Sequence, residues 1–80
     1  RKSLKVYADN FHIVNPYYNI LNLNKLKARI RYRQVLQEVS IWADKDCFYF
    51  DFTKKQKAIA RGQFISIYKG DELIASGVID

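Results

Sequence analysis

From Lys25 to Arg33 the chain alternates without a break, with Lys25, Lys27, Arg29, Arg31 and Arg33 at odd positions and Leu26, Ala28, Ile30 and Tyr32 between them. A period of two belongs to an extended strand, whose successive side chains point to opposite faces; a helix repeats every 3.6 residues. The same pattern returns along the chain. Residues 38–43 read as a strand, Asp44, Lys45 and Asp46 as a polar hairpin turn, and 47–52 as the returning strand, with Phe48, Phe50 and Phe52 facing a core and Tyr49 and Asp51 facing away. Residues 63–68 alternate again, Lys69, Gly70 and Asp71 make a tight turn, and 72–79 read as a final strand.

Two short strands, 4–8 and 11–14, open the chain, split by the turn-forming pair Asp9 and Asn10. Between them and the basic strand, residues 15–24 hold the only proline and several asparagines, which predicts a long loop whose Tyr17, Tyr18, Ile20, Leu21 and Leu23 fold back over one end of the core. Residues 53–61 read as a connection. Six or seven short strands with turns between them predict an all-β fold, a small antiparallel β-barrel, because closure removes exposed sheet edges.

The chain has 80 residues, enough for a single domain over 1–80 and one core. Its net charge of +6 points to a polyanionic partner such as nucleic acid. One cysteine, Cys47, allows no internal disulfide and suits a reducing compartment, so a cytoplasmic location is expected. No run approaches the ~18 apolar residues of a membrane span, so no membrane partner is expected. From the start at Arg1, without a methionine, a fragment or a processed product is expected.

On one strand, the five alternating cations would stand about 6.6 Å apart, at ~3.3 Å of rise per residue, a spacing similar to that of phosphates along a nucleic-acid strand. No acid occurs between positions 10 and 37 to pair with them. The bland reading is a solvated face that discourages edge pairing. A second basic cluster, Lys54, Lys55, Lys57 and Arg61, reinforces the first if both lie on one side. Tyr17, Tyr18, Trp42 and Tyr49 are candidates for base stacking, although strand aromatics in a small barrel more often fill its interior.

Catalytic chemistry is not visible. His12 and Cys47 are the only histidine and cysteine, which rules out a conventional zinc site, and Cys47 reads as a small buried side chain. Gly62, Gly70 and Gly77 fit turns or bulges rather than a phosphate-cradling loop.

The residues ARIRYRQ at 28–34 and AIARGQFISIYKGDELIASGVI at 58–79 resemble the C-terminal domain of the bacterial tRNA-specific 2-thiouridylases in order and spacing. LKVYADNFHIVN is similar to the segment that precedes that domain's basic strand. The sequence departs from the family pattern at Arg29 (usually lysine), at Arg61 (often proline), at Ala75 and Ser76 (usually glycines), and at 35–39, where a proline-rich connection is usual.

The resemblance implies a barrel similar to domain II of translation elongation factors, working as the C-terminal part of an enzyme that thiolates the wobble uridine of tRNA. It implies no cofactor in this chain. ATP with magnesium and a persulfide sulfur donor would serve the parent enzyme, as would an N-terminal catalytic domain on the same chain and a sulfur-relay protein. Cys47 matches neither catalytic cysteine of the family, and Gly62 with Gln63 would shape the fold.

Two functional readings follow, together with a third that the missing catalytic residues disfavour. The first is an RNA-binding accessory domain that uses Lys25, Lys27, Arg29, Arg31, Arg33, Lys54, Lys55, Lys57 and Arg61 on the tRNA backbone. The second is a structural domain that packs against the parent's catalytic domain with little RNA contact. The third is a free-standing small enzyme.

Overall fold

Alternating apolar residues give the strands, and the barrel follows from how those strands find partners. The computed structural model describes residues 3–31 and 33–80. Tyr32, which the alternation assigns to the apolar side of the basic strand, lies outside the described residues. Seven strands form one sheet in the order β1-β5-β4-β3-β6-β7-β2, every pair antiparallel: β1 Leu4–Tyr7, β2 Phe11–Ile13, β3 Lys27–Arg29, β4 Gln37–Asp44, β5 Cys47–Phe52, β6 Phe64–Lys69 and β7 Glu72–Val78.

The two edge strands of that order, β1 and β2, are consecutive in the chain, joined by a 3-10 turn at Ala8–Asn10. One bent segment therefore pairs with β5 at its start and with β7 at its end, which nearly closes the barrel. A bond from the Asp80 amide to the Lys5 carbonyl, 2.9 Å, helps join the remaining sides. The bend is tight. A Cβ on Gly77 would stand 2.8 Å from both Phe11 Cδ1 and Val6 Cγ1, so only glycine lets β7 pass beneath the corner.

The core matches the expected alternation. Val6, Ala28, Phe50, Ile65, Ile67, Ile74 and Ala75 are fully buried, with Phe52 beside them and Phe11 and Phe48 packed against the cluster. Ile74 and Ala75 are buried in succession because β7 bulges there, Ile67 pairing with Ala75 and Tyr68 with Leu73. Deleting the Phe50 ring would cost ~3–5 kcal/mol, a large part of the ~5–15 kcal/mol that holds a typical domain folded.

Both hairpins are tighter than three residues, since Asp44 pairs with Cys47 and Lys69 with Glu72, leaving Lys45-Asp46 and Gly70-Asp71 as the turns. The 15–24 loop is present and carries a 3-10 turn at Ile20–Asn22 that buries Ile20. Asn15 and Asn19 accept from the amides of Tyr17 and Leu21, which is how asparagines hold such a loop without a ladder. No helix among the described residues is long and apolar enough to cross a membrane.

Candidate nucleic-acid interface

The basic strand is shorter than its alternation predicts. β3 spans only Lys27–Arg29. Lys25 precedes it at φ 60, in the left-handed region, and cannot belong to the ladder. Beyond Arg29 the side-chain carbonyl of Gln34 accepts from the amides of Ile30 and Arg31 (3.0 and 3.1 Å), and the Gln34 amide closes a turn on the Arg31 carbonyl at 2.9 Å. Local bonds thus replace the partner strand, and the chain turns away. A row of five cations on one strand face is therefore incorrect: Lys27 and Arg29 lie on β3, Lys25 lies before it, and Arg31 and Arg33 lie in the following turn.

The two arginines nearest the barrel wall are engaged. Arg29 donates through Nη2 to the Tyr68 hydroxyl at 3.0 Å, with its guanidinium carbon 5.1 Å from the ring centroid. Arg31 reaches the β5–β6 connection, donating to the Lys57 carbonyl through both terminal nitrogens (3.2 Å each) and to the Ala58 carbonyl at 2.8 Å. Its planar fork suits that bidentate task, which a lysine would not perform.

That reach across the barrel end brings the two basic clusters together. Because neighbouring strands run antiparallel, the ends of β3, β5 and β7 and the starts of β1, β4 and β6 share one end of the barrel. The 30–36 turn and the 53–63 connection both leave from that end. Three glutamines fasten them together: Gln56 donates to Gln37 at 2.7 Å and to the Lys54 carbonyl at 2.9 Å, and it accepts from Gln34 and Gln37 at 3.4 Å. A groove of about 560 Å³ is lined by Lys27, Lys54 and Lys55 with Val35 and Glu38. Lys27 of the first basic cluster and Lys54 and Lys55 of the second thus line one groove.

Its members differ in availability. Lys27, Arg33, Lys54, Lys55 and Lys57 are exposed. Glu38 is paired by register with Lys27 and is an acid on the rim. Arg61 is 82% exposed but within 3.4 Å of Asp80, which also lies 3.6 Å from Lys5. Gly62 turns the chain back into β6 at φ 89, its amide bonded to the Ile79 carbonyl at 2.8 Å, while the Gln63 side chain accepts from the Ala60 amide at 2.7 Å. Both residues therefore shape the loop.

The glutamine clasp and the Tyr68 support for Arg29 have no signal in the residue pattern. Gln34, Gln37 and Gln56 stand out in the sequence as amides beside basic stretches, but their meeting depends on the register of β4 and β5. Of the aromatic candidates, Tyr17 is exposed, Tyr18 packs edge-on against it at 5.7 Å, and Trp42 stacks on Tyr49 across the strands at 5.7 Å and 16°. None of the four lines the basic groove.

Cys47 is buried, as its small apolar character suggested. Burial holds its thiol above the ordinary range, reinforced by a contact to the Asp46 carboxylate at 3.6 Å. Such a thiol is a poor nucleophile, since the thiolate is the reactive form. Among the described residues no group of three His, Cys, Asp or Glu side chains is placed to hold a metal ion.

Comparison with known proteins gives the fold its relatives. The family model of the aminomethyltransferase β-barrel domain matches residues 3–79. The chain is 44% identical over 81 residues to the tRNA-specific 2-thiouridylase MnmA of Christiangramia forsetii, an alignment covering 99% of this chain and 20% of that protein. It is 38% identical to tRNA-specific 2-thiouridylase MnmA 2 of Clostridium tetani over 81% of this chain and 18% of the relative. Against the Mycoplasma mobile enzyme it is 31% identical over 99% of this chain and 21% of the relative. The chain thus spans about a fifth of the length of the curated relatives it matches. No solved structure matches it significantly. The barrel topology and a family match running from residue 3 to residue 79 show that the chain belongs to the aminomethyltransferase β-barrel domain family, as a C-terminal barrel of the tRNA-specific 2-thiouridylase type.

Proposed function

We propose that this barrel is the tRNA-gripping C-terminal domain of a tRNA-specific 2-thiouridylase, an enzyme that replaces the 2-oxygen of the wobble uridine with sulfur at the expense of ATP. The observation that carries the reading is the gathering of exposed Lys27, Arg33, Lys54, Lys55 and Lys57 at one end of the barrel, supported by relatives that are themselves tRNA-specific 2-thiouridylases. Lys25 and Arg61 flank this surface. Arg29 and Arg31 hold it in shape.

Each phosphate neutralised releases counterions, so binding should weaken steeply with salt. The barrel alone should bind at the ~10⁻⁴–10⁻⁶ M typical of sequence-independent contacts. A titration of the isotope-labelled domain with unmodified tRNA, following backbone amide shifts at low and moderate salt, tests this. Shifts clustered on 27–36 and 53–61 that shrink with salt are expected. Their absence at tens of micromolar RNA would end the reading.

ATP, magnesium, the persulfide donor and a sulfur-relay protein would act on the remainder of such an enzyme. The side chains here do not suit them: the acids are dispersed, Cys47 is buried and held protonated, and neither Gly62 nor Gly70 opens a helix that would receive a phosphate. A tRNA substrate implies a cytoplasmic location.

A second reading has the barrel packing on the catalytic domain with little RNA contact. What favours it is the outer face of β4 and β5, where Trp42 is 42% exposed although stacked on Tyr49. Neutralising Lys54, Lys55 and Lys57 separates the two, because those side chains do not support the fold. Lost RNA binding by a folded domain fits the first reading, and unchanged RNA binding the second.

A further inference from the structure

We infer that Phe64 is a stacking platform for an unpaired base of the RNA held by the basic end, an inference that rests on reading that end as an RNA contact. Phe11, Phe48, Phe50 and Phe52 all serve the core, whereas Phe64 is 66% exposed. It is not a loose side chain. It opens β6 in register with Val78, and the alternation that buries Ile65 and Ile67 places Phe64, Ser66 and Tyr68 on the outer face.

A singly exposed apolar residue needs no explanation in itself. The surroundings of this one do. Arg29 faces Ser66 across β3 and β6, so Phe64 lies further toward the basic end, level with the point where the chain leaves β3 for Arg31. Immediately before it runs the connection bearing Lys54, Lys55, Lys57 and the 82%-exposed Arg61. On the β7 side its cross-strand partner is Val78 and Ser76 pairs with Ser66, so no ring or charged side chain is paired beside it there, while Arg29 lies on the β3 side.

An exposed aromatic ring at the barrel end that also carries exposed lysines matches a nucleotide, which presents a π surface and an anion in one ligand. Single-stranded nucleic acid is held in this way elsewhere, with basic grooves following the backbone and aromatic rings taking the bases. A duplex offers no such base, because its rings are already stacked. A protein surface would have to bring acids and an apolar group together to suit the same place.

The test compares an oligouridine single strand with a blunt RNA duplex, by fluorescence anisotropy, on the wild-type domain and on Phe64→Ala, Phe64→Leu and Phe64→Tyr. Phe64→Ala and Phe64→Leu should bind the single strand about fivefold to a hundredfold more weakly, from the usual worth of one base–aromatic stack. Phe64→Tyr should bind normally, the duplex should be indifferent to all three, and the salt slope should not change. Full single-strand affinity in Phe64→Ala or Phe64→Leu would overturn the inference while leaving the basic end as an RNA contact. An equal loss on the duplex would also overturn it, by assigning Phe64 to the shape of the surface. Failure of the wild-type domain to bind either RNA would remove the underlying reading and the inference with it. Amide spectra of each variant confirm that the exposed substitution leaves the barrel folded.

Discussion

Arg31 donates to the carbonyl oxygen of Ala58 at 2.8 Å, so a residue in the turn after β3 holds a residue in the connection after β5. Ala58 sits at φ 55, a strained conformation for a residue with a Cβ, and the guanidinium compensates by fixing its carbonyl. Arg31→Ala should release that connection and lower stability by about 1 kcal/mol, the net worth of an ordinary hydrogen bond, or ~4–8 °C in Tm for a domain this small. Arg31→Lys should recover little of it, for want of the fork. Thermal unfolding of both variants measures the difference, and amide exchange over 54–61 should quicken in each.

Replacing Lys54, Lys55 and Lys57 together by glutamine should leave Tm nearly unchanged, since all three are exposed. RNA binding should weaken, and the slope of log K against log salt should flatten by ~0.7–0.9 for each phosphate no longer neutralised. Affinities at three salt concentrations give the slope. An unaltered slope would mean that these lysines do not meet phosphates.

Gly77→Ala should be the most damaging of the glycine substitutions. Its Cβ would press on Phe11, on Val6 and, at 3.2 Å, on the Asn10 carbonyl, all within the corner that closes the barrel. Overpacking of this kind costs ~1–3 kcal/mol. Urea unfolding should show a lower midpoint, and the β1 and β2 amides should exchange faster than those of β4 and β5.

Alkaline pH should destabilise the barrel. Burial raises the Cys47 and Tyr49 pKa values above their ordinary range, and a hydrogen bond to the Tyr7 hydroxyl, 3.4 Å away, is the leading cause of the rise at Lys5. In each case the folded state holds its proton more tightly than the unfolded chain. Stability is thus fully present below the unfolded pKa values and declines as pH rises through the folded ones, starting with Cys47 near its ordinary value of 9.0. Urea midpoints from pH 7 upward should fall beyond that point, and Cys47→Ala should remove the earliest part of the decline.

Much of the strand plan was legible because its determinants are local. Asp9 and Asn10 mark the corner between β1 and β2, Lys45-Asp46 and Gly70-Asp71 mark the hairpins, and the phenylalanines at 48, 50 and 52 share a face set by the pleat alone. The basic strand misleads for a physical reason. Alternation records which residues would separate if the chain were extended, but extension lasts only where a partner offers ladder bonds. β6 offers them over Lys27–Arg29, and Gln34 then captures the amides that would have continued. The meeting of the two basic clusters depends on strand order, which no residue pattern displays. Phe64 is inconspicuous because exposed and buried phenylalanines look alike in a sequence.

The bent segment that pairs with β5 and β7 also dictates an order of events during synthesis. Of the barrel's strands β1 and β2 are made before the others, yet β1 has no partner until β5 appears and β2 none until β7. For most of translation Val6, Phe11 and Ile13 wait without their neighbours, while the β4–β5 hairpin can form within its own stretch of chain. Closure of this barrel therefore waits on its last strand, and a chain without β7 would leave β2 and one side of β6 unpaired, as edges open to aggregation.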